Sequence, residues 1–426
     1  MSTCEHRVRG DPPALKLANV YAGMATSRLP LLDTLRGCAL LGILLMNIEA
    51  YVGPLNAGLT GLNPALTGSD RWLDGLIYVC VQGKFYTIFS LLFGASFALM
   101  QGKAQREQRR FVPFYLRRMS VLGLFGLIHA ILIWSGDILF TYAVWGSALL
   151  LVRRVPTALL PYMAVVLYFI VPLTLIIYAC LVAVTLHQPS QVAVWRQIHD
   201  QTVHQVAAAL QAQRHALEHA TFAQACRQRL DDFIATCNGL IANGLAIFAF
   251  FLFGRWLVET GVLLDVSRWQ RLGERLRWIV WPVGLGCMLL SFAIQPTMEA
   301  QSLTVSMAFA YFLAQVANML MCFGYIAWFA CLAQRTAHSF ASAGRMSLSL
   351  YLMQSLICTW LFSGYGLGLY PYVSRTWQIP FAIMLFALQW RLSQWWLQRY
   401  RYGPVEWLWR CASDVRWQPW RRSFER

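Results

Sequence analysis

Apolar residues run through this chain in long unbroken blocks, without the period-two alternation of strands and with little of the polar face that a soluble helix carries. Ten blocks are long enough to cross a bilayer as helices: residues 35–53, 77–100, 118–134, 137–152, 158–185, 240–258, 278–295, 304–332, 346–364 and 378–397. Their length excludes a membrane β-barrel, whose strands are short and alternate in polarity. The pattern predicts an all-α polytopic membrane protein with about ten transmembrane helices. The two longest blocks, 158–185 and 304–332, must tilt, kink or protrude, and Pro161 and Pro172 give the first of them a reason to bend.

Composition strengthens this picture. Of 426 residues 58% are hydrophobic and only 13% charged, where a soluble chain carries about a quarter. The net charge of +16 suggests nucleic acid until its distribution is read. Basic residues gather in short runs between apolar blocks, as orientation signals do, so the expected partner is the lipid bilayer and not nucleic acid. Residues 101–118 hold six Lys or Arg against one acid, Arg153 and Arg154 follow the fourth block, and 398–426 holds seven arginines. Loop 54–70 has neither Lys nor Arg. Basic loops on the cytoplasmic side place both termini inside.

The expected organisation is a polar cytoplasmic tail (1–27), an N-terminal membrane half of five helices (28–185), an external polar helical loop (186–239), a second five-helix half (240–397) and a basic cytoplasmic tail (398–426). The first 27 residues lack the features of a cleavable signal peptide, and Met24 would serve equally well as a start. Eleven cysteines show no CxxC or metal spacing; Cys226 and Cys237 share the polar loop and can pair only in an oxidising compartment.

Polar groups inside apolar blocks carry the chemistry, because an ionisable group in hydrocarbon costs a few kcal/mol or more. His129 and Asp137 are the only Asp, Glu, His, Lys or Arg between Arg118 and Arg153. Asp137 is also placed to cap the next helix, and His129 to bond a neighbouring helix. Asp33 and Arg36, three apart, share a helix face at the inner end of the first block. Asn47 lies on the same face as Arg36, about 16 Å further along; an interfacial anchor and an interhelical bond are the plain alternatives for these two. Lys84 is one of three lysines and alone lies within an apolar block, where snorkelling to the outer interface competes with a binding role. Ser347, Ser349, Tyr351, Gln354 and Ser355 make one helix polar on several sides, so it faces other helices. Arg345 joins Asp33 and Arg36 at the inner end, whereas Asn47, Glu49, Lys84, His129 and Asp137 fall in the outer half. His215 and His219 have zinc-ligand spacing in a polar helix, which a solvated helix also explains.

The segments RLPLLDTLRGCALLGILLMNI (28–48), GKFYTIFSLLFGASFAL (83–99), IHAILIWSGDILFTYAVWG (128–146), GRMSLSLYLMQSLI (344–357) and YGPVEWLWR (402–410) resemble, in order, the bacterial YeiB-like proteins, domain of unknown function 418. The first block is also distantly similar to the transmembrane acyltransferase superfamily, which includes acyltransferase-3 proteins and heparan-α-glucosaminide N-acetyltransferases. The resemblance implies an inner-membrane, multi-pass protein that takes an acyl group from cytoplasmic acyl-CoA and places it on an acceptor across the membrane, with no metal. It assigns Arg36 to the first-helix arginine of that superfamily. Where acyltransferase-3 proteins place a histidine, after that arginine and ten further residues, this chain has Asn47; no histidine stands near Lys84, which leaves His129 as the intramembrane histidine. On this expectation His129, oriented by Asp137, is the base. Arg36 holds CoA phosphates, Asn47 or Lys84 polarises the acyl carbonyl, Tyr142 and Gln354 bind substrate, and Asp33 and Arg345 are structural. The same residue types suit a transporter of a small polar or anionic solute, and the outer loop suits an envelope scaffold. The acceptor is not readable from the chain, and a homo-oligomer is compatible with it.

Overall fold

The computed structural model describes residues 30–55, 57, 61–262, 266–297, 303–335 and 339–422; the expected tail 1–27 lies outside them. Among the described residues the chain is helical, with no strand beyond isolated bridges at Gly61–Thr297 and Tyr400–Arg421. The helices are α1 (Pro30–Val52), α2 (Gly68–Cys80), α3 (Phe85–Arg106), α4 (Phe111–Ile128, continued by a π turn over His129–Ile133), α5 (Leu139–Val152) and α6 (Leu160–Thr185). There follow α7 (Pro189–His219), α8 (Phe222–Asn238), α9 (Leu240–Glu259), α10 (Val266–Arg275), α11 (Trp281–Ile294) and α12 (Val305–Arg335). The chain ends in α13 (Ala341–Arg345), α14 (Ser347–Phe362), α15 (Arg375–Arg399) and α16 (Pro404–Asp414).

Seven helical stretches among the described residues are long and apolar enough to cross a membrane: Pro30–Val52, Gly68–Arg106, Phe111–Ile133, Thr157–Thr185, Leu240–Glu259, Arg271–Ile294 and Val305–Ala333. Leu139–Val152 and Ser347–Phe362 are apolar but shorter. The tenth expected block lies within α15. The chain is an all-helical, multi-pass membrane protein.

Helix α1 is the hub. Leu35, Ala39, Leu44 and Ile48 are all fully buried, and the helix packs against α3, α12, α13, α14 and α15. A helix apolar on every side needs either protein or lipid on every side. α6 and α11 take the second option: Val166, Leu181, Val184, Leu289 and Leu290 point outward. Pro161 sits in the first turn of α6, where no backbone donor is lost.

Lipid gives helices no hydrophobic reason to associate, so close packing matters more than in water. Helices α3 and α9 meet backbone to backbone at Gly94 and Gly254: a Cβ at Gly94 would collide with the Phe251 carbonyl, and one at Gly254 with the Leu91 carbonyl. At the end of α9, buried Arg255 donates to the carbonyls of Val152 (2.7 Å), Arg153 and Val155 (both 3.2 Å) and pairs with Glu259 at 2.6 Å. The Val152 carbonyl closes α5 and the other two lie in the turn after it, so the guanidinium sits at the negative dipole end of that helix.

The polar loop expected over 186–239 forms α7 and α8, joined at a capping box of Thr221 and Gln224. This hairpin docks on the loop after α14, where Gly364 N–H donates to the Leu217 carbonyl at 2.7 Å. Cys226 and Cys237 within it are both free.

Gly254→Ala is expected to lower the unfolding temperature in detergent by several degrees, since overpacking costs about 1–3 kcal/mol. Gly286→Ala, where a Cβ meets nothing within 4 Å, is expected to leave it unchanged or raise it slightly.

Candidate functional site

The end of α4 departs from α-helical geometry at one place, the π turn over His129–Ile133. Single π turns within α-helices concentrate at functional sites. His129 opens this turn, and its side chain is about 1% exposed, beside an equally buried Asp137. Asp137 performs two tasks with its two oxygens. Oδ2 accepts the Phe140 backbone N–H at 2.7 Å, capping α5, while Oδ1 bonds His129 Nδ1 at 2.8 Å. An Nδ1 proton held by a carboxylate leaves Nε2 with its lone pair free. That atom is buried and has no hydrogen-bond partner among the described residues.

Aromatic rings stand on both sides of the histidine. The Tyr351 ring centroid lies 5.2 Å away and that of Trp134 6.3 Å away, and Trp134 in turn packs on Tyr51 at 4.2 Å. The Tyr51 hydroxyl is fixed by Ser355 Oγ at 2.8 Å and reached by the Asn47 side chain. The Tyr351 hydroxyl, also buried, makes no full hydrogen bond.

On the Tyr351 side of this row lies a cavity of about 640 Å³. Its deep wall is apolar apart from two phenols: Leu40, Ile43, Leu122 and Ile138 with Tyr142 and Tyr351. Its mouth is basic, lined by Arg36, Lys103, Arg106, Arg118, Arg345 and Arg410 against Asp33, Glu107 and Glu406. Arg36 pairs with Asp33 at 2.7 Å and donates to Ser96 Oγ at 2.6 Å. Arg118 stacks on Trp409, its guanidinium carbon 3.6 Å from the ring centroid, and its Nε has no partner. Arg345 donates to the Arg401 carbonyl at 3.3 Å. The close approach of α1 and α13 at this rim depends on Gly344, where a Cβ would strike the Asp33 carbonyl.

On the Tyr51 side is a second pocket of about 50 Å³, lined by Tyr51, Trp134 and Ser135 and by Gln213, Arg229 and Asp232 of the α7–α8 hairpin. Asp232 accepts from Ser135, Gln213 and Gln228 at 2.8–3.2 Å, and Arg229 donates to the Leu132 carbonyl (3.0 Å) and Tyr365 hydroxyl (2.7 Å). The rings of Tyr351, His129, Trp134 and Tyr51 thus form the partition between two pockets at opposite ends.

The residues singled out from sequence divide accordingly. Asp33, Arg36 and Arg345 share the cavity mouth, and Tyr142 lines its interior with its hydroxyl bonded to Ser90 Oγ at 2.7 Å. Asn47 stands behind Tyr51 and lines neither pocket. Gln354 is locked to Gln389 at 2.9 Å between α14 and α15. Lys84 is fully buried, so it does not snorkel; its Nζ donates to the Tyr78 carbonyl at 3.1 Å, away from both pockets. Glu49 belongs to a buried ion cluster in which Arg375 pairs with Glu49 (3.2 Å) and Asp74 (3.0 Å). The His215 and His219 rings are 5.6 Å apart, and no group of three or more metal-ligating side chains occurs among the described residues.

Sequence reasoning gave no site role to Arg118 or Glu406 and read Tyr351 only as one polar residue of a helix facing other helices. The Glu406 carboxylate accepts from the backbone N–H groups of Leu348 (2.7 Å) and Ser349 (3.0 Å) and from Ser349 Oγ (2.5 Å), closing the N-terminus of α14 from α16. Burial pushes this carboxyl above its ordinary range, and those donors pull against the shift. Its one signal in the sequence is a lone acid in the aromatic run YGPVEWLWR.

Residues 257–416 match the family described as "Protein of unknown function (DUF418)". The chain is 30% identical over 424 residues to uncharacterized protein YxaH of Bacillus subtilis (strain 168), covering 95% of this chain and 98% of that one. It is 31% identical over 397 residues to uncharacterized protein YeiB of Escherichia coli (strain K12), covering 89% and 94%. A 39.9 kDa protein from the amylase 3′ region of Bacillus acidopullulyticus is 24% identical over 398 residues, covering 91% and 94%. No solved structure matches the chain.

Asp137→Ala is expected to lower the unfolding temperature by more than loss of a cap alone, which costs about 1 kcal/mol, since the His129 bond goes too. Asp137→Asn keeps an acceptor for Phe140 and is expected to lose less. Thermal unfolding of the two variants beside wild type checks both.

Proposed function

We propose that this chain, which belongs to the DUF418 family of proteins of unknown function, transfers an acyl group from cytoplasmic acyl-CoA to an acceptor on the outer side of a bacterial inner membrane. In this reading about ten helices cross the bilayer, with both termini and the basic cavity mouth in the cytoplasm. The α7–α8 hairpin and the smaller pocket then face outward.

The single observation that carries the reading is His129 Nε2, a buried ring nitrogen without a partner, on an imidazole backed by a carboxylate and set in the partition between the two pockets. A neutral imidazole with its far nitrogen held by a carboxylate is an oriented general base, worth about 10²–10⁴ in rate. The larger cavity supports the donor's identity. Its volume of about 640 Å³ falls in the range of small-ligand sites. Guanidinium groups match phosphate oxygens in geometry as well as charge, and Arg36, Arg118 and Arg410 stand at the mouth. The apolar interior suits the uncharged arm that carries the thioester towards the partition. Asp137 serves as the positioning residue. A solute path for transport would need the Tyr351–His129–Trp134–Tyr51 row to open, whereas group transfer needs only the acyl group to cross it.

Acetyl-CoA is expected to raise the unfolding temperature of the purified protein by several degrees at saturation, as about 2.7 kcal/mol follows from a hundredfold excess over Kd. Arg36→Ala and Arg118→Ala should shrink that shift. His129→Ala should keep the shift but release CoA in native membranes at least about a hundredfold more slowly. Absence of any shift in wild type, with solute counterflow in vesicles, would overturn the reading in favour of transport.

Orientation has its own check. In a cysteine-free background, Lys103→Cys is expected to react with an impermeant maleimide only from the cytoplasmic side, and Gln201→Cys only from outside. The reverse pattern would put the donor cavity on the wrong face.

A further inference from the structure

The proposed transfer leaves one task unassigned. Nucleophilic attack on a thioester moves the carbonyl π electrons onto oxygen, and in an apolar cavity that negative charge needs a hydrogen-bond donor. Neither sequence candidate for this part stands at the cavity: Lys84 is committed to the Tyr78 carbonyl, and Asn47 is turned towards Tyr51.

Tyr351 is at the right place. Its ring lines the deep end of the large cavity and faces His129 with centroids 5.2 Å apart. It is 6% exposed, and its hydroxyl, next to the Ile138 backbone, makes no full hydrogen bond. Tyr142, the other phenol on the same wall, differs on that point: its hydroxyl is already engaged by Ser90 and by the Tyr86 carbonyl. Two orphaned polar atoms, His129 Nε2 and Tyr351 Oη, therefore belong to facing rings. Leaving one such group unpaired costs about 1–3 kcal/mol, and clustering them is the arrangement of a site whose remaining partners arrive with a ligand.

We propose, resting on the acyl-transfer reading above, that the Tyr351 hydroxyl is the donor to the acyl carbonyl oxygen. The acceptor's O–H or N–H attacks the thioester carbon, forming the new C–O or C–N bond while His129 Nε2 takes the proton. The carbonyl π pair moves to oxygen, and that oxyanion accepts the Tyr351 O–H hydrogen bond. Collapse restores the carbonyl and breaks the C–S bond, and the CoA thiolate leaves with the proton from His129. Tyr351 keeps its proton throughout, and the products are acylated acceptor and CoA.

The test compares acetyl-CoA with CoA as probes in thermal unfolding of wild type and Tyr351→Phe in nanodiscs. Wild type is expected to be stabilised more by acetyl-CoA than by CoA, because only the former brings a carbonyl. Tyr351→Phe should unfold, without ligand, at or slightly above the wild-type temperature, since it removes a hydroxyl that makes no full hydrogen bond. It should keep the full CoA shift and lose the extra shift from the acetyl group. An acetyl-specific shift that survives in Tyr351→Phe, or its absence from wild type while both ligands bind, overturns the assignment and leaves the acyl-transfer reading standing. A Tyr351→Phe protein that unfolds well below wild type also overturns it, by making the hydroxyl a structural partner. If neither probe moves wild type, the acyl-CoA reading fails and takes the Tyr351 assignment with it.

Discussion

Hydrocarbon offers a polar side chain nothing to bond, so each one inside the membrane must find its partner in the protein. Most of this structure's long-range polar contacts follow from that constraint. Arg375 is held by Glu49, Asp74 and Gln378, and Gln354 by Gln389. Ser291 reaches across to the Ala310 carbonyl, and Tyr168 to Gln315. Against that background the failures are informative. Six buried side-chain polar atoms among the described residues lack a partner, and three of them, on Arg118, His129 and Tyr351, belong to the large cavity and the partition at its end. The other three, on Gln101, Trp281 and Asn318, lie away from both pockets, so half of the orphaned atoms gather at the one candidate site.

Helix α5 shows how the two are joined. It has 14 residues, at about 1.5 Å each too short to span the hydrocarbon core unaided. Both its ends are secured from outside the helix: Asp137 at the N-terminus, and Arg255 from α9 at the C-terminus. The carboxylate that starts the helix also orients His129. The imidazole is thus fixed with respect to a rigid element anchored at both ends, a better mount than a free loop.

Legibility from sequence followed distance along the chain. The apolar blocks were plain from composition, because span length is set by bilayer thickness and not by any partner. Close polar pairs were also readable: Asp33 with Arg36 at three residues, and His129 with Asp137 across one turn. Partners brought together by folding were not. Arg375 meets Asp74 from 301 residues away, and Glu406 meets Leu348 from 58. Lys84 read as a group free to reach an interface, yet it is enclosed at the α2–α3 junction. Tyr351 stood in plain view as one of several polar residues on α14. Its significance lies in what its hydroxyl does not touch, and no sequence pattern records an absence of contact.

The π turn at His129–Ile133 adds something of a different kind. Such a turn contains one residue more than an α turn, and here it ends the helix: the Trp134 N–H bonds the His129 carbonyl and the backbone then turns extended. Where the departing chain carries Trp134 and Asp137 relative to the imidazole is therefore governed by a count of residues and not only by their identities. Substitutions in this stretch would trim its fit, but an insertion or deletion of one residue between His129 and Asp137 would part the pair. The site is indexed by chain length, and a lineage that lost the extra residue would keep both side chains in every alignment while separating them.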